Sequence, residues 1–179
     1  HPVLNAVAVG GTPDVRVILY RGVPAMAMLR LPTRASGGRA NLHQGAIAAA
    51  IDLPSGTTYG GVCENRVIDL HPDTEQPIAG LELPGWRTLL DASMRLSDAL
   101  ELGYLGVDFV IDQAVGPVVL EANARPGLAI QVANRTGLRP ALDRIGHLPA
   151  GPMSLADRWR VVEQTPRASH LELSGSEVG

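Results

Sequence analysis

Leu105 to Asn123 reads LGVDFVIDQAVGPVVLEAN, two apolar, β-branched runs separated by a short turn that ends at Gly116. That pattern predicts a β-hairpin. Pairing Asp112 with Pro117 across a four-residue loop sets Ile111 against Val118 and, counting back, Asp108 against Glu121. Directly opposed residues have Cβ atoms about 4.5–5.5 Å apart, so two carboxylates placed there repel unless something compensates them. Asn123, two residues past Glu121, shares its face and adds a third oxygen. Three hard oxygen donors without His or Cys suit Mg²⁺ or Mn²⁺ rather than zinc or copper, which makes Asp108, Glu121 and Asn123 the candidate metal ligands. Two blander readings stand beside this one. Polar residues on a strand can be a solvated sheet face, the simplest account of Asp112. A carboxylate pair can also be the acid and base of a glycosidase, a reading that leaves Asn123 without a role. Charges embedded in apolar runs are costly to leave unpaired, which favours the metal.

Working outward, Asp14 to Tyr20 alternates, with Asp14, Arg16, Ile18 and Tyr20 on one face and Val15, Val17 and Leu19 on the other. Arg21-Gly22 turns the chain into a return strand from Ala25 to Arg30. The Gly-rich stretch Pro32 to Gly45, with Arg34 and Arg39, has no apolar period and reads as a mobile loop. Further strands are expected at Ala46–Asp52, Tyr59–Cys63 and Arg66–Leu70, with Glu64-Asn65 as a turn. His71 to Gly85 is broken by three prolines and reads as a surface connection. Trp86 to Leu102 carries Leu89, Ala92, Leu96, Ala99 and Leu100 at helical spacing, stopped by Gly103. After the hairpin, Leu128–Thr136 and Ala141–Ile145 read as short helices, and Ser154 with Asp157 caps a last one through Val162. The end from Pro166 to Gly179 is expected to fray.

Composition narrows the chemistry. The 179 residues carry 15 basic and 18 acidic side chains, a net charge of -3 and 45% apolar residues, which suits one core-forming domain. Every basic residue is arginine, which removes from this chain a phosphate-loop lysine, a Schiff-base lysine and a lysine general base. The only cysteine, Cys63, excludes an internal disulfide and a Cys/His zinc motif, and points to a reducing, cytoplasmic setting. No apolar run approaches the roughly 18 residues of a membrane span. A mildly acidic balance and few aromatic residues argue against nucleic acid as a partner.

GVDFVID through LEANARPGL, with Asp-Val-Arg on an earlier strand and RANLHQG after it, resembles the carboxy-terminal lobe of ATP-grasp ligases, and within them the alpha-L-glutamate ligase-like group. The spacing D-x12-E-x-N-x2-PG carries the resemblance. It implies an α+β fold, an antiparallel sheet packed against helices, spanning 1–145, with a partly disordered extension over 146–179. It also implies an enzyme that phosphorylates a carboxylate with ATP and lets an amine displace phosphate from the acyl-phosphate, possible substrates being glutamate or another amino acid. By the same resemblance Asp108, Glu121 and Asn123 bind two Mg²⁺ ions bridging the ATP phosphates. Arg16 and Arg30 are the cations at the phosphates or acyl-phosphate. Arg39 and Asn41 match an Arg-x-Asn beside the metals and the acceptor, after a Ser36-Gly37-Gly38 run whose amides approach an anion. His43 is expected to face solvent, and Arg125 to contact substrate or solvent. The family's other lobe, with its lysines and glycine-rich flap, is expected before His1, so that this chain alone is inactive. A noncatalytic interaction domain of the same fold and a kinase-like phosphotransferase are the alternatives. A homo-oligomer is compatible with the sequence.

Overall fold

The computed structural model describes residues 1–166. The end expected to fray lies, beyond Pro166, outside the described residues. A short helix α1 (Pro2–Asn5), not foreseen from the sequence, precedes two strands, β1 (Asp14–Tyr20) and β2 (Val23–Leu31). Tyr20 pairs with Val23 across Arg21 and Gly22, whose φ angles of 50° and 74° give the two-residue turn that matches the natural twist of a hairpin. β3 (Ile47–Ile51), β4 (Thr58–Cys63) and β5 (Arg66–Ile68) follow, the last two joined by the same kind of turn at Glu64-Asn65.

Helix α2 (Trp86–Leu100) leads into the hairpin of β6 (Tyr104–Asp112) and β7 (Gly116–Asn123). The seven strands form one antiparallel sheet in the order β5-β4-β3-β2-β1-β6-β7, so the hairpin docks on the first strand of the chain. Three further helices close the described chain: α3 (Ile130–Asn134), α4 (Arg139–Gly146) and α5 (Leu155–Glu163). Ser154 caps α5 as expected, its hydroxyl accepting from the Asp157 amide.

Alternation in the central strands sorts the core into two layers. Val15, Val17, Leu29 and Phe109 face one side, under α2 and α5, whose Leu89, Leu90, Trp159 and Val162 are buried against them. Ile18, Met26, Met28 and Ala48 face the other side, where Ile130 of α3 and Ile145 of α4 cover them. That second cover is partial: beyond it, on the same face, lie Asp14, Arg16, Arg30 and Asp108.

Three details depart from expectation. Helix α2 turns a different stripe inward: Leu100 is exposed, while Ser93 and Ser97 are buried. The two hydroxyls donate to the Leu90 and Leu102 carbonyls, which removes the cost of burying them. The helix ends on Glu101 in a left-handed conformation rather than on Gly103, and α3 ends on Arg135 rather than on Gly137. The Gly-rich loop is a packed turn. Gly37 and Gly38 donate to the Arg34 and Thr33 carbonyls, and a Cβ at Gly38 would stand 2.2 Å from the Gly10 carbonyl oxygen. Those amides are therefore satisfied within the turn, and the anion cradle expected there does not form.

Candidate functional site

The hairpin register makes the site. Asp108 stands opposite Glu121, as the sequence predicts, but it reaches that position by another route. Near the turn the pairing is Asp112 with Gly116 and Ile111 with Pro117, one residue off the expected register. The loop is shorter because Asp112 Oδ1 accepts from the Ala114 and Val115 amides and Gly116 takes φ 79°. A bulge at Leu120 then adds the residue back and restores Asp108 to Glu121.

Asp108 lies opposite Arg16 on β1, and Asp14 lies opposite Arg30 on β2, so the four side chains share one face. Arg16 donates from Nε and Nη2 to the two Asp108 oxygens at 2.7 and 2.6 Å, a fork-on-carboxylate pair. Arg30 donates from Nη2 to Asp108 Oδ2 at 2.8 Å and from Nε to Asp14. The repulsion expected between Asp108 and Glu121 is thus met by two guanidinium groups. The register gives Asp14 to Arg30 and Arg16 to Asp108.

The two buried aspartates respond oppositely. Burial raises the pKa of Asp14, and the Arg30 hydrogen bond and charge do not fully offset it. Burial also works against ionised Asp108, yet the Arg16 hydrogen bonds and the charges of both arginines outweigh it and hold its pKa below the ordinary value. Arg16 is in turn held cationic by its bond to Asp108, with Glu121 close enough to add to the effect.

Glu121 is exposed, and its Oε1 accepts from Asn123 Nδ2 at 3.3 Å. Asn123 Oδ1 accepts from the Arg125 amide at 2.9 Å and keeps one lone pair. Asp108 Oδ1 receives only the Arg16 Nε proton, so it too keeps one. All three side chains therefore offer oxygen lone pairs on one face, a donor set that fits Mg²⁺ or Mn²⁺. Among the described residues no three His, Cys, Asp or Glu side chains gather as a metal cluster, so Asn123 is needed to complete the set. The turn after Asn123 folds back over the cluster: a Cβ at Gly106 would strike Pro126 at 2.4 Å, and one at Gly127 would stand 3.9 Å from Arg16 Nη1.

Arg39 and Asn41 make their bonds within their own loop. Arg39 is exposed and bonds Gln44 at 3.4 Å, and Asn41 Oδ1 accepts from the His43 amide as the cap of a single 3-10 turn over Leu42–Gln44. No hydrogen bond or ion pair among the described residues joins them to Asp108 or Glu121. His43 faces solvent on the edge of a cavity of about 470 Å³ that runs between Ala46, Asn65 and Leu128. Arg125 is exposed.

The family model for sugar-transfer associated ATP-grasp proteins matches residues 1–147. The chain belongs to this family. Its ATP-grasp membership agrees with the superfamily that the hairpin and its Asp, Glu and Asn imply, and the seven-stranded sheet with five helices is an α+β fold consistent with an ATP-grasp lobe. The match names the sugar-transfer associated family and does not carry the alpha-L-glutamate ligase-like group. No curated protein matches the chain. ATP-grasp membership supports a ligase-like, ATP-dependent enzyme in general terms. Among the described residues no helix is long and apolar enough to cross a membrane.

Proposed function

We propose that this ATP-grasp chain holds the phosphates and metal ions of an ATP-dependent ligase that joins a carboxylate to an amine through an acyl-phosphate. The observation that carries the reading is Asp108, forked by Arg16 and Arg30 beside the outward oxygens of Glu121 and Asn123. Glu121, Asn123 and the remaining lone pair of Asp108 would hold Mg²⁺. When bound, the ion would neutralise charge on the terminal phosphates of ATP.

Arg16 spends Nε and Nη2 on Asp108, Arg30 spends Nε on Asp14 and Nη2 on Asp108, and Nη1 of each makes no hydrogen bond among the described residues. Those two Nη1 groups are preorganised donors for phosphoryl oxygens, fixed by the aspartates behind them. The reaction then runs in two displacements. A carboxylate oxygen bonds the γ-phosphorus as its bond to the bridging oxygen breaks and ADP leaves. The amine nitrogen next bonds the acyl carbon, the acyl C–O bond breaks, phosphate leaves and the amine gives up a proton. Arg39 and Asn41, on the exposed 32–45 loop, would contact the acceptor once it is bound. The chain's single cysteine supports the cytoplasm as the compartment.

For substrates we propose glutamate or another amino acid, and the association of the family with sugar transfer adds sugar acids and amino sugars. The test is a product assay on the protein containing this chain, with Mg²⁺, ATP and a panel of those carboxylates and amines. ADP and phosphate should appear only when a carboxylate is present, and hydroxylamine should trap the acyl-phosphate as a hydroxamate. AMP as product, or ADP released equally without carboxylate, would overturn the ligase reading. The second outcome favours a kinase-like phosphotransferase, and no nucleotide turnover at all favours an interaction domain.

A further inference from the structure

Another cavity lies at the other end of the same sheet face. Met26, on β2, is four residues from Arg30, which puts the two about 13 Å apart along the strand. The cavity, of about 440 Å³, is roofed by α3 and α4 and floored by Met26, Ile51 and Tyr59. That volume suits a small organic molecule.

Its charge is lopsided. Arg135 and Arg144 both line it, and neither side chain makes an ion pair or a hydrogen bond among the described residues. The Nε of Arg144 is fully buried without a partner among the described residues. Asp52 is the only acid among the described residues of the lining, and its Oδ2 is already engaged by the amide and hydroxyl of Ser55 at 3.1 and 2.6 Å. The Tyr59 hydroxyl donates to Asn134 Oδ1 at 2.7 Å, and burial pushes its pKa up to about 12, so it stays a neutral hydroxyl. Burial likewise draws the Arg144 pKa down.

A buried donor without an acceptor is costly, and the Arg144 Nε is one. An anion supplies that acceptor. The planar fork of arginine matches a carboxylate or a phosphate, while Met26, Ile51 and Pro140 offer apolar surface to the rest of the molecule. We propose that this cavity is a binding site for a small organic anion, a carboxylate or phosphate monoester with an apolar body, separate from the cluster around Asp108.

The experiment is a titration of the ¹⁵N-labelled 179-residue chain, followed by amide resonances, with phenyl phosphate and benzoate as probes and phenol as the neutral control. Either anion should shift Asn134 to Gly137 and Thr58 to Gly60 saturably, and phenol should not; the stronger of the two identifies the anionic group preferred. Arg144→Gln and Arg135→Gln should each weaken binding about tenfold, the loss expected for one charge-assisted hydrogen bond. Arg135 is exposed, so its variant carries the test if Arg144→Gln unfolds the chain. Shifts confined to the strands around Arg16 and Asp108, or equal affinity in the variants, would overturn the proposal. Binding seen only in a chain ended at Pro166 would overturn it as well, since the segment from Arg167 would then be the occupant.

Discussion

Asp108 takes three N–H donors on its two oxygens, and those bonds decide how the cluster responds to pH. Its folded pKa lies below the ordinary 3.8, so its contribution to stability is fully present above that value. The contribution is lost as pH falls through the lowered folded pKa. Asp14 has the opposite sign, because its folded pKa is raised: its cost is present at neutral pH and is relieved as pH falls through that raised value. Asp108→Asn should therefore destabilise the chain by about 3 kcal/mol at pH 7, since it removes the one carboxylate that Arg16 pairs with among the described residues while Arg30 keeps Asp14. In urea melts of both proteins, the gap should shrink below pH 3.8. A gap independent of pH would mean that Asp108 is not the ionised partner of Arg16. Glu121→Gln differs, because Glu121 is exposed: stability should change by no more than about 0.5 kcal/mol. Mn²⁺ affinity, read by electron paramagnetic resonance, should fall sharply, and unchanged affinity would remove Glu121 from the metal site.

Hairpins set the placement of these residues, and the β6–β7 turn has a position where backbone conformation alone can be tested. Gly116 has φ 79°, and nothing lies within 4 Å of a Cβ built on it. Gly116→Ala should therefore cost only the left-handed penalty of about 1 kcal/mol, seen as a modest fall in melting temperature with the register intact. A loss several times larger would show that the loop does not take the conformation described. This element also marks what the sequence could carry. Alternation along β1, β2 and β6 is enough to set Arg16, Arg30 and Asp108 on one face, since all three strands are largely buried and a slip would reverse every side chain. The bulge at Leu120 leaves no such trace. Val118, Val119 and Leu120 lie on an edge strand and are all exposed, so no alternation fixes which of them is the extra residue. Helix α2 hid its face for a related reason: Ser93 and Ser97 read as polar, yet local carbonyls satisfy them. Arg39 and Asn41 are legible as a motif, while the close packing of Gly10 on Gly38 in the turn before them is something no period reports.

On the scale of the whole molecule, the sheet is held from both sides, and the last described helix belongs to that clamp. The family match ends at residue 147, before α5 begins. Even so, Trp159 and Val162 of α5 are buried in the layer that contains α2 and the central strands. Arg158 bonds Asp98 at 2.6 and 3.0 Å and the Met94 carbonyl at 3.2 Å, Trp159 Nε1 bonds Asp91 at 2.6 Å, and the Arg87 guanidinium stands 4.3 Å from the Trp159 ring. These contacts tie α5 to α2 on the face opposite Asp108, so the helix supports the site without touching it. Removing a buried tryptophan side chain costs about 3–5 kcal/mol, and exposing a buried valine adds about 1.5 kcal/mol or more. Together these match the lower end of a domain's entire stability, about 5 kcal/mol. A chain ended after His147 should consequently lose cooperative unfolding, while Trp159→Ala in the 179-residue chain should lower stability by about 3 kcal/mol and keep a single transition. Calorimetry of the two proteins separates these outcomes. An undiminished melting temperature in the shortened chain would mean that α5 merely rests on a domain already complete without it.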